Sequence, residues 1–433
     1  MINRFYFLGI VITLLSTVPI QAQLTIEYCQ QKAVENYPLI EQYDLIRKTS
    51  EYTLSNASKA YLPQFSITGR ASYQSNVTSL PGDVMNLANK ISNIQELDLP
   101  DKGRLMNKDQ YNVNAGVNQV IWDGGVVRAK RKITKAVEDV ESKNVDVQLY
   151  TINERVNNLF FGILLLDKQH HQLELYGQIL QSNYEQIKEY VANGLATESD
   201  LDLIQATYLK NEQNKEKILG TRTAFSEMLA VLIGEPIEQL ETPDIDHYVE
   251  LNSIIKRPEL KLFDAKNRVF QSEIAAVNAK NLPRIGASAL VGYGNPNLNL
   301  LDNRWNTYFI GSVGVVWNFG NLYSRKNDLK KIRLQKQINE NLRETFLFNT
   351  NLEATQEKNE IYKKRKLVTF DDQIIQLRTN VRNAAEVKAE NGTISIQELV
   401  REIDAEEIAK EDKIIHEIDL LLSIYNYKFI TNN

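Results

Sequence analysis

Tracts 101–235 and 297–433 contain no proline. Within them, Val126 to Asn193 holds only Gly162 and Gly177, and Asn321 to Asn391 holds no glycine. Nothing in either stretch stops a helix, and at 1.5 Å per residue each one reaches about 100 Å, far beyond the usual helix of roughly 12 residues. Apolar residues recur at three-and-four spacing: Ile133, Val137, Val140; Ile152, Val156, Leu159, Ile163; Leu173, Tyr176, Leu180, Tyr184, Ile187, Val191. That is a coiled-coil-like seam, so the expected class is mainly α. Gly194 and Gly392 stand where left-handed C-terminal caps belong, and returning helices follow over Ser199 to Ile233 and Ile396 to Ile430.

Past the N-terminal segment that holds Pro19, the prolines fall into two zones, Pro38 to Pro100 and Pro236 to Pro296, each ahead of one long tract. The local matches keep one order. Asn36-Tyr37-Pro38-Leu39 answers Lys256-Arg257-Pro258-Glu259-Leu260, and Tyr61-Leu62-Pro63 answers Asn281-Leu282-Pro283. Ile121-Trp122-Asp123-Gly124-Gly125 answers Val316-Trp317-Asn318-Phe319-Gly320, and Ala192-Asn193-Gly194 answers Glu390-Asn391-Gly392. The chain therefore reads as one unit written twice, 23–235 and 256–433, joined by a linker at 236–255. Each unit is helix, hairpin, long helix, returning helix. The first copy carries an additional polar loop from about Val77 to Lys108.

Four strands are expected, at about 64–76, 110–120, 284–295 and 307–318, with long helices at about 123–193 and 321–391. In the first, Phe65, Ile67, Ala71 and Tyr73 alternate with Ser66, Thr68, Arg70 and Ser72. The second sets Tyr111, Val113, Ala115 and Val117 against Asn112, Asn114 and Asn118. A strand of about 11 residues, tilted, covers an outer membrane's apolar thickness, yet four strands cannot close a barrel that needs about eight. They must pool with other copies or pack against something else, and alternation alone fits a soluble half-buried sheet equally well. Tyr73, Tyr111, Trp122, Tyr293, Trp305, Phe309 and Trp317 gather near strand ends, as interfacial aromatics do.

Little in the composition suits catalysis. With 50 Lys+Arg against 55 Asp+Glu the net charge is -5, which offers no phosphate-binding surface, so nucleic acid is not an expected partner. One cysteine excludes an intrachain disulfide and a Cys-based metal cluster. Adjacent His170 and His171 point to different helix faces, His247 sits near Pro243, and His416 lacks zinc spacing. No phosphate loop, nucleophile elbow or dinucleotide fingerprint is found, so neither an enzyme nor a cofactor is expected. Arg4 and the apolar run Phe5 to Val18 read as a secretory signal over residues 1–22, too short to span a bilayer. Cys29 lies beyond the expected cleavage point, where it reads as an inert thiol of the first helix.

Taken together, Leu24-Thr25-Ile26-Glu27, Asn36-Tyr37-Pro38, Leu62-Pro63-Gln64, Trp122-Asp123-Gly124-Gly125 and the two glycine turns resemble the TolC-like outer-membrane efflux proteins over nearly the whole mature chain. The resemblance implies a homotrimer whose twelve strands form one transmembrane β-barrel, continued by a periplasmic α-helical tunnel closed at its tip. It implies a passive export duct of a tripartite efflux or type I secretion system, set in outer-membrane lipid. A periplasmic adaptor (membrane fusion protein) would dock at the tip around Gly194, Leu195, Gly392 and Thr393, with an inner-membrane RND or ABC pump behind it. Asp200 and Glu398 match positions where such proteins place tip carboxylates. Thr197-x-x-Asp200 and Ser395-x-x-Glu398 are also helix-capping patterns, and the two roles can coexist. Arg401 and Ile394 depart from the family pattern, implying a tip lock of different make-up. The alternative is a periplasmic coiled-coil adaptor or structural protein without a pore.

Overall fold

A computed structural model describes residues 24–77, 81–92, 107–244, 254–296, 298 and 304–432. The expected signal segment lies outside the described residues, as do His247 and the rest of 245–253 in the linker. By contact the chain divides into two compact units. The helical unit comprises the described parts of Met1–Ile40, Asp146–Pro258 and Phe346–Asn433; the sheet unit comprises those of Glu41–Val145 and Glu259–Thr345.

In chain order the elements are α1 (Ile26–Asn36), a 3-10 turn at Pro38–Glu41, α2 (Gln42–Lys59), β1 (Gln64–Tyr73), α3 (Gly82–Ser92), β2 (Asp109–Trp122), α4 (Val126–Tyr150), α5 (Ile152–Ala192), α6 (Glu198–Ile233), α7 (Pro258–Ala279), β3 (Arg284–Asn295), β4 (Asn306–Val316), α8 (Asn321–Glu390) and α9 (Ile396–Thr431). The unbroken tract 321–391 is thus a single helix of 70 residues. The helix expected at 123–193 is instead two, parted at Thr151, whose hydroxyl donates to the Gln148 carbonyl at 2.8 Å. Side-chain bonding of this kind competes with the helix ladder. Two strands are shorter than expected: β1 stops at Tyr73 and β4 at Val316. β2 is longer, reaching Trp122 across a register shift beside Val120. The additional loop of the first copy is not wholly irregular, since α3 lies within it.

In the helical unit α5 packs against α6 and α9, and α1 against α5 and α6. The seam read from sequence is the core: Ile152, Val156, Leu159, Ile163, Leu173, Tyr176, Leu180 and Ile187 are all buried. Phe160 and Phe161 join them, edge to face at 5.6 Å. Burying each large apolar side chain stabilises the unit by about 1.5–3 kcal/mol. Cys29 is fully buried, and that burial pushes its thiol up to about 11, far from a reactive thiolate.

In the sheet unit four strands form one antiparallel sheet in the order β1-β2-β3-β4. Pro63 and Pro283 end the preceding helical segments and start β1 and β3. Where β2 gives way to α4, Asp123 is buried and caps the helix: it accepts from the amides of Gly125 at 2.8 Å and Val127 at 2.5 Å, and from the Tyr61 hydroxyl at 2.7 Å. Gly124 makes that turn at φ +72°, and a Cβ there would meet Leu282 Cβ and the Pro283 carbonyl at 3.0 Å. Gly124→Ala is therefore expected to destabilise the sheet unit by about 1–3 kcal/mol, read as a lower urea midpoint for loss of β-structure.

Candidate functional site

The register assigns every strand residue to a face, because directly opposed residues of an antiparallel pair share one. One face carries the rows Phe65-Val117-Ala289-Gly311, Ile67-Ala115-Val291-Phe309 and Gly69-Val113-Tyr293-Thr307. The other carries Gln64-Asn118-Ser288-Ser312, Thr68-Asn114-Gly292-Tyr308 and Arg70-Asn112-Gly294-Asn306. The polar side is tied across strands, with Tyr308 Oη donating to Asn114 Oδ1 at 2.6 Å and the Ser288 and Ser312 hydroxyls 2.7 Å apart.

The apolar side is open. Phe65 is 82% exposed, Ile67 81% and Val313 73%, with Phe309, Val113 and Val291 more than half exposed. A sheet in water would place this side against a core; a contiguous exposed apolar surface marks contact with lipid or protein. Aromatics stand at both its ends. Trp305 stacks on Tyr111 at 6.2 Å and tilts on Tyr293 at 5.2 Å, while Trp317 lies 4.7 Å from Phe319 at the end that also holds Trp122. From Tyr111 to Trp122 the strand covers about 36 Å; tilted as barrel strands are, it rises close to the ~25 Å height of an outer-membrane apolar band. The outermost strands, β1 and β4, each have one neighbour only, so each leaves a row of backbone donors and acceptors unpaired within the sheet.

In the helical unit both glycine turns have one geometry. Gly194 and Gly392 adopt φ +71° and +67°. Their amides donate to Val191 O and Ala389 O, and the next amides, of Leu195 and Thr393, reach back to Tyr190 O and Lys388 O. Leu195 is 74% exposed. One apolar cluster draws the two turns together: Ala196 and Leu201 from the first and Ile394, Ile396 and Leu399 from the second pack with Ile187, Ile204, Ala385 and Ala389.

Asp200 and Glu398 are the reciprocal members of two capping boxes. Asp200 Oδ2 accepts from the Thr197 amide at 2.9 Å while the Asp200 amide donates to Thr197 Oγ1 at 3.3 Å. Glu398 Oε2 and Ser395 make the same exchange at 3.2 Å each. The capping reading of these residues is what the geometry displays. Thr197→Ala is expected to cost about 1 kcal/mol, measured as faster amide exchange in the first turn of α6 with the remainder of the helix unchanged. Arg401 is exposed and ion-pairs with Glu402 at 3.2 Å. His171 is exposed, His170 half-buried, and His416 Nδ1 lies 2.9 Å from Asp371 Oδ2.

Sequence reading missed a polar girdle that joins α9 to α5 and α8. Gln172 donates to Glu407 at 2.8 Å, Tyr176 to Asp404, and Glu406, almost wholly buried, pairs with Arg382 and Lys410. The signal was available, because Glu406 and Glu407 share α9 with the apolar residues Ile403 and Ala409 that the packing buries.

The family model of the Outer membrane efflux protein matches residues 30–235. Among solved structures, the outer-membrane channel OprN superposes at a TM-score of 0.66 with 11% identity, over 94% of this chain and 89% of that one. CusC, reported with conformational changes accompanying folding and transmembrane channel formation, gives 0.64 at 12% identity over 94% and 92%. VceC, an outer membrane protein of Vibrio cholerae, gives 0.58 at 14% identity over 94% and 96%. A comparison with curated proteins gives no match. Residues 30–235 thus match the outer membrane efflux protein family, and the chain as described has the fold of these TolC-like outer-membrane channels.

Proposed function

We propose that this protein is the outer-membrane duct of a tripartite efflux or type I secretion system, performing no chemistry of its own. The observation that carries the reading is the sheet: apolar and exposed on one face, polar on the other, with two open edges. Lipid suits the first face, a water-filled lumen the second, and pairing with copies of the same chain the edges, since no open edge survives in hydrocarbon. Three copies give twelve strands, a size within the range of membrane barrels. The duplicated unit, 23–235 and 256–433, accounts for two hairpins per chain, and the helices would extend the lumen through the periplasm.

The paired turns at Gly194, Leu195, Gly392 and Thr393 are the proposed docking end for a periplasmic adaptor, with an RND or ABC pump in the inner membrane. Their shared apolar cluster and exposed Leu195 support that placement. Asp200 and Glu398, beyond their capping role, would line the aperture with up to six carboxylates, attracting cations there. Membrane fractionation followed by an unboiled gel tests the duct. It is expected in the outer-membrane fraction as a heat-sensitive trimer; a soluble monomer in the periplasm would establish the pore-free adaptor instead.

A further inference from the structure

We infer that the lumen of the barrel section is cationic and draws in solutes of net negative charge, small organic anions bearing carboxylate, sulfate or phosphate groups, separately from the carboxylates proposed at the helical aperture. The inference rests on the duct reading and adds the charge preference of its barrel section. Three charged residues occur in the four strands: Arg70, Asp109 and Arg284. The register separates them by sign. Arg70 stands in the row of Asn112, Gly294 and Asn306, and Arg284 opposite Val316, both on the polar face. Asp109 stands opposite Tyr73, on the apolar face.

The lumen-facing side of the sheet therefore bears two guanidiniums and no carboxylate in its strands. Both arginines are exposed, and neither has an ion pair among the described residues. They occupy opposite ends of the sheet, since β3 runs from Arg284 to Gly294 in Arg70's row, about 33 Å along the strand. Three copies would place one ring of three guanidiniums at each end of a lumen otherwise uncharged along its strands, lined by Asn, Ser, Thr, Gln, Tyr308 and Gly with one apolar row at Leu290 and Ile310. Guanidinium is charged at every physiological pH, and low-dielectric walls concentrate its field along a narrow aqueous path. Rings of Arg are how anion pores select. The remainder of the face carries no charge in its strands, and its Asn, Ser, Thr and Gln side chains add neutral hydrogen-bonding groups that suit acid-bearing solutes without discriminating among them.

The test reads local potential, independent of how far the helical end opens. Ser312→Cys places a thiol on the polar face and Val313→Cys one on the apolar face, while the native Cys29 is buried. Purified protein in lipid vesicles at low salt is treated with sulfonate-bearing and trimethylammonium-bearing methanethiosulfonates, each rate normalised to a free thiol in solution. At position 312 the anionic reagent is expected to react about fivefold or more faster, a ratio set by a potential of about one kT or more. Adding Arg70→Gln and Arg284→Gln brings the ratio to within about twofold of unity, with the oligomer on an unboiled gel unchanged. Equal rates in the parent, a faster cationic reagent, or a ratio indifferent to the two arginines overturns the cationic lumen and leaves the duct standing. A thiol at 312 that neither reagent reaches, with one at 313 that both reach, overturns the duct itself and the inference with it.

Discussion

Ile67→Arg removes the protein from the outer membrane, whereas Thr68→Arg, one residue along the same strand, leaves it there. Ile67 is 81% exposed and lies in the row of Ala115, Val291 and Phe309, between the two aromatic ends of the sheet. Were the surroundings water, a substitution at so open a position would change stability by no more than about 0.5 kcal/mol. In a lipid-facing row near the bilayer middle, arginine costs roughly 2–4 kcal/mol, and a trimer incurs it three times. Thr68 faces Asn114 and the polar side, where a charge meets water. The measurement is the folded, heat-sensitive trimer in outer-membrane fractions of the two variants. Equal yields would show that the exposed apolar face never meets lipid.

The second large effect belongs to the helical unit and depends on pH. Glu407 on α9 is buried, and that burial pushes its carboxyl up to about 7. Gln172 and Lys410 favour the charged form, Glu411 and Glu406 oppose it, and Lys410 is already engaged with Glu406. The native state thus holds a proton that the unfolded chain releases near its ordinary value of 4.5. A group protonated in the folded state and ionised in the unfolded one makes stability fall as pH rises between those two values, here by roughly 3 kcal/mol from about pH 4.5 to 7. Glu411, raised first by burial and then by Asp412, adds to the same trend. Glu406, where burial is outweighed by Lys410, Thr379 and Arg382, works in the opposite sense at acidic pH. Amide exchange across α5 and α9, corrected for intrinsic rates, is expected to show opening tenfold or more easier at pH 7.5 than at pH 5. In Glu407→Gln most of that slope disappears and protection at pH 7.5 rises. An unchanged slope would place the proton elsewhere.

The elements were legible where one physical signal dominated. A tract such as 321–391 with nothing to stop a helix becomes a 70-residue helix, and the period-two runs became strands with the faces the alternation assigned. Boundaries were less legible. α4 and α5 part at Thr151, and nothing in the apolar spacing around it marks the break. β4 was the hardest strand, because Ile310, Gly314 and Val316 leave its polar face without a clean polar pattern. Pairing with β3 supplies the missing information, setting Tyr308 and Ser312 beside Gly292 and Ser288. At the turns, Thr197, Asp200, Ser395 and Glu398 announced their caps because a capping box is local. For Glu406 and Glu407 the apolar neighbours on α9 signalled burial, but the partners Gln172, Thr379 and Arg382 stayed hidden because they come from other helices.

All of this converges on how the four-stranded sheet is completed. Single-particle imaging of the full-length protein in a lipid nanodisc addresses that most directly. The expected density has three chains, β1 of each paired along its free edge with β4 of a neighbour, the Ile67 and Phe309 rows against lipid, and one water-filled lumen lined by Asn114 and Ser312. Density in which those edges stay unpaired, or in which the apolar rows are covered by protein instead of lipid, would contradict it.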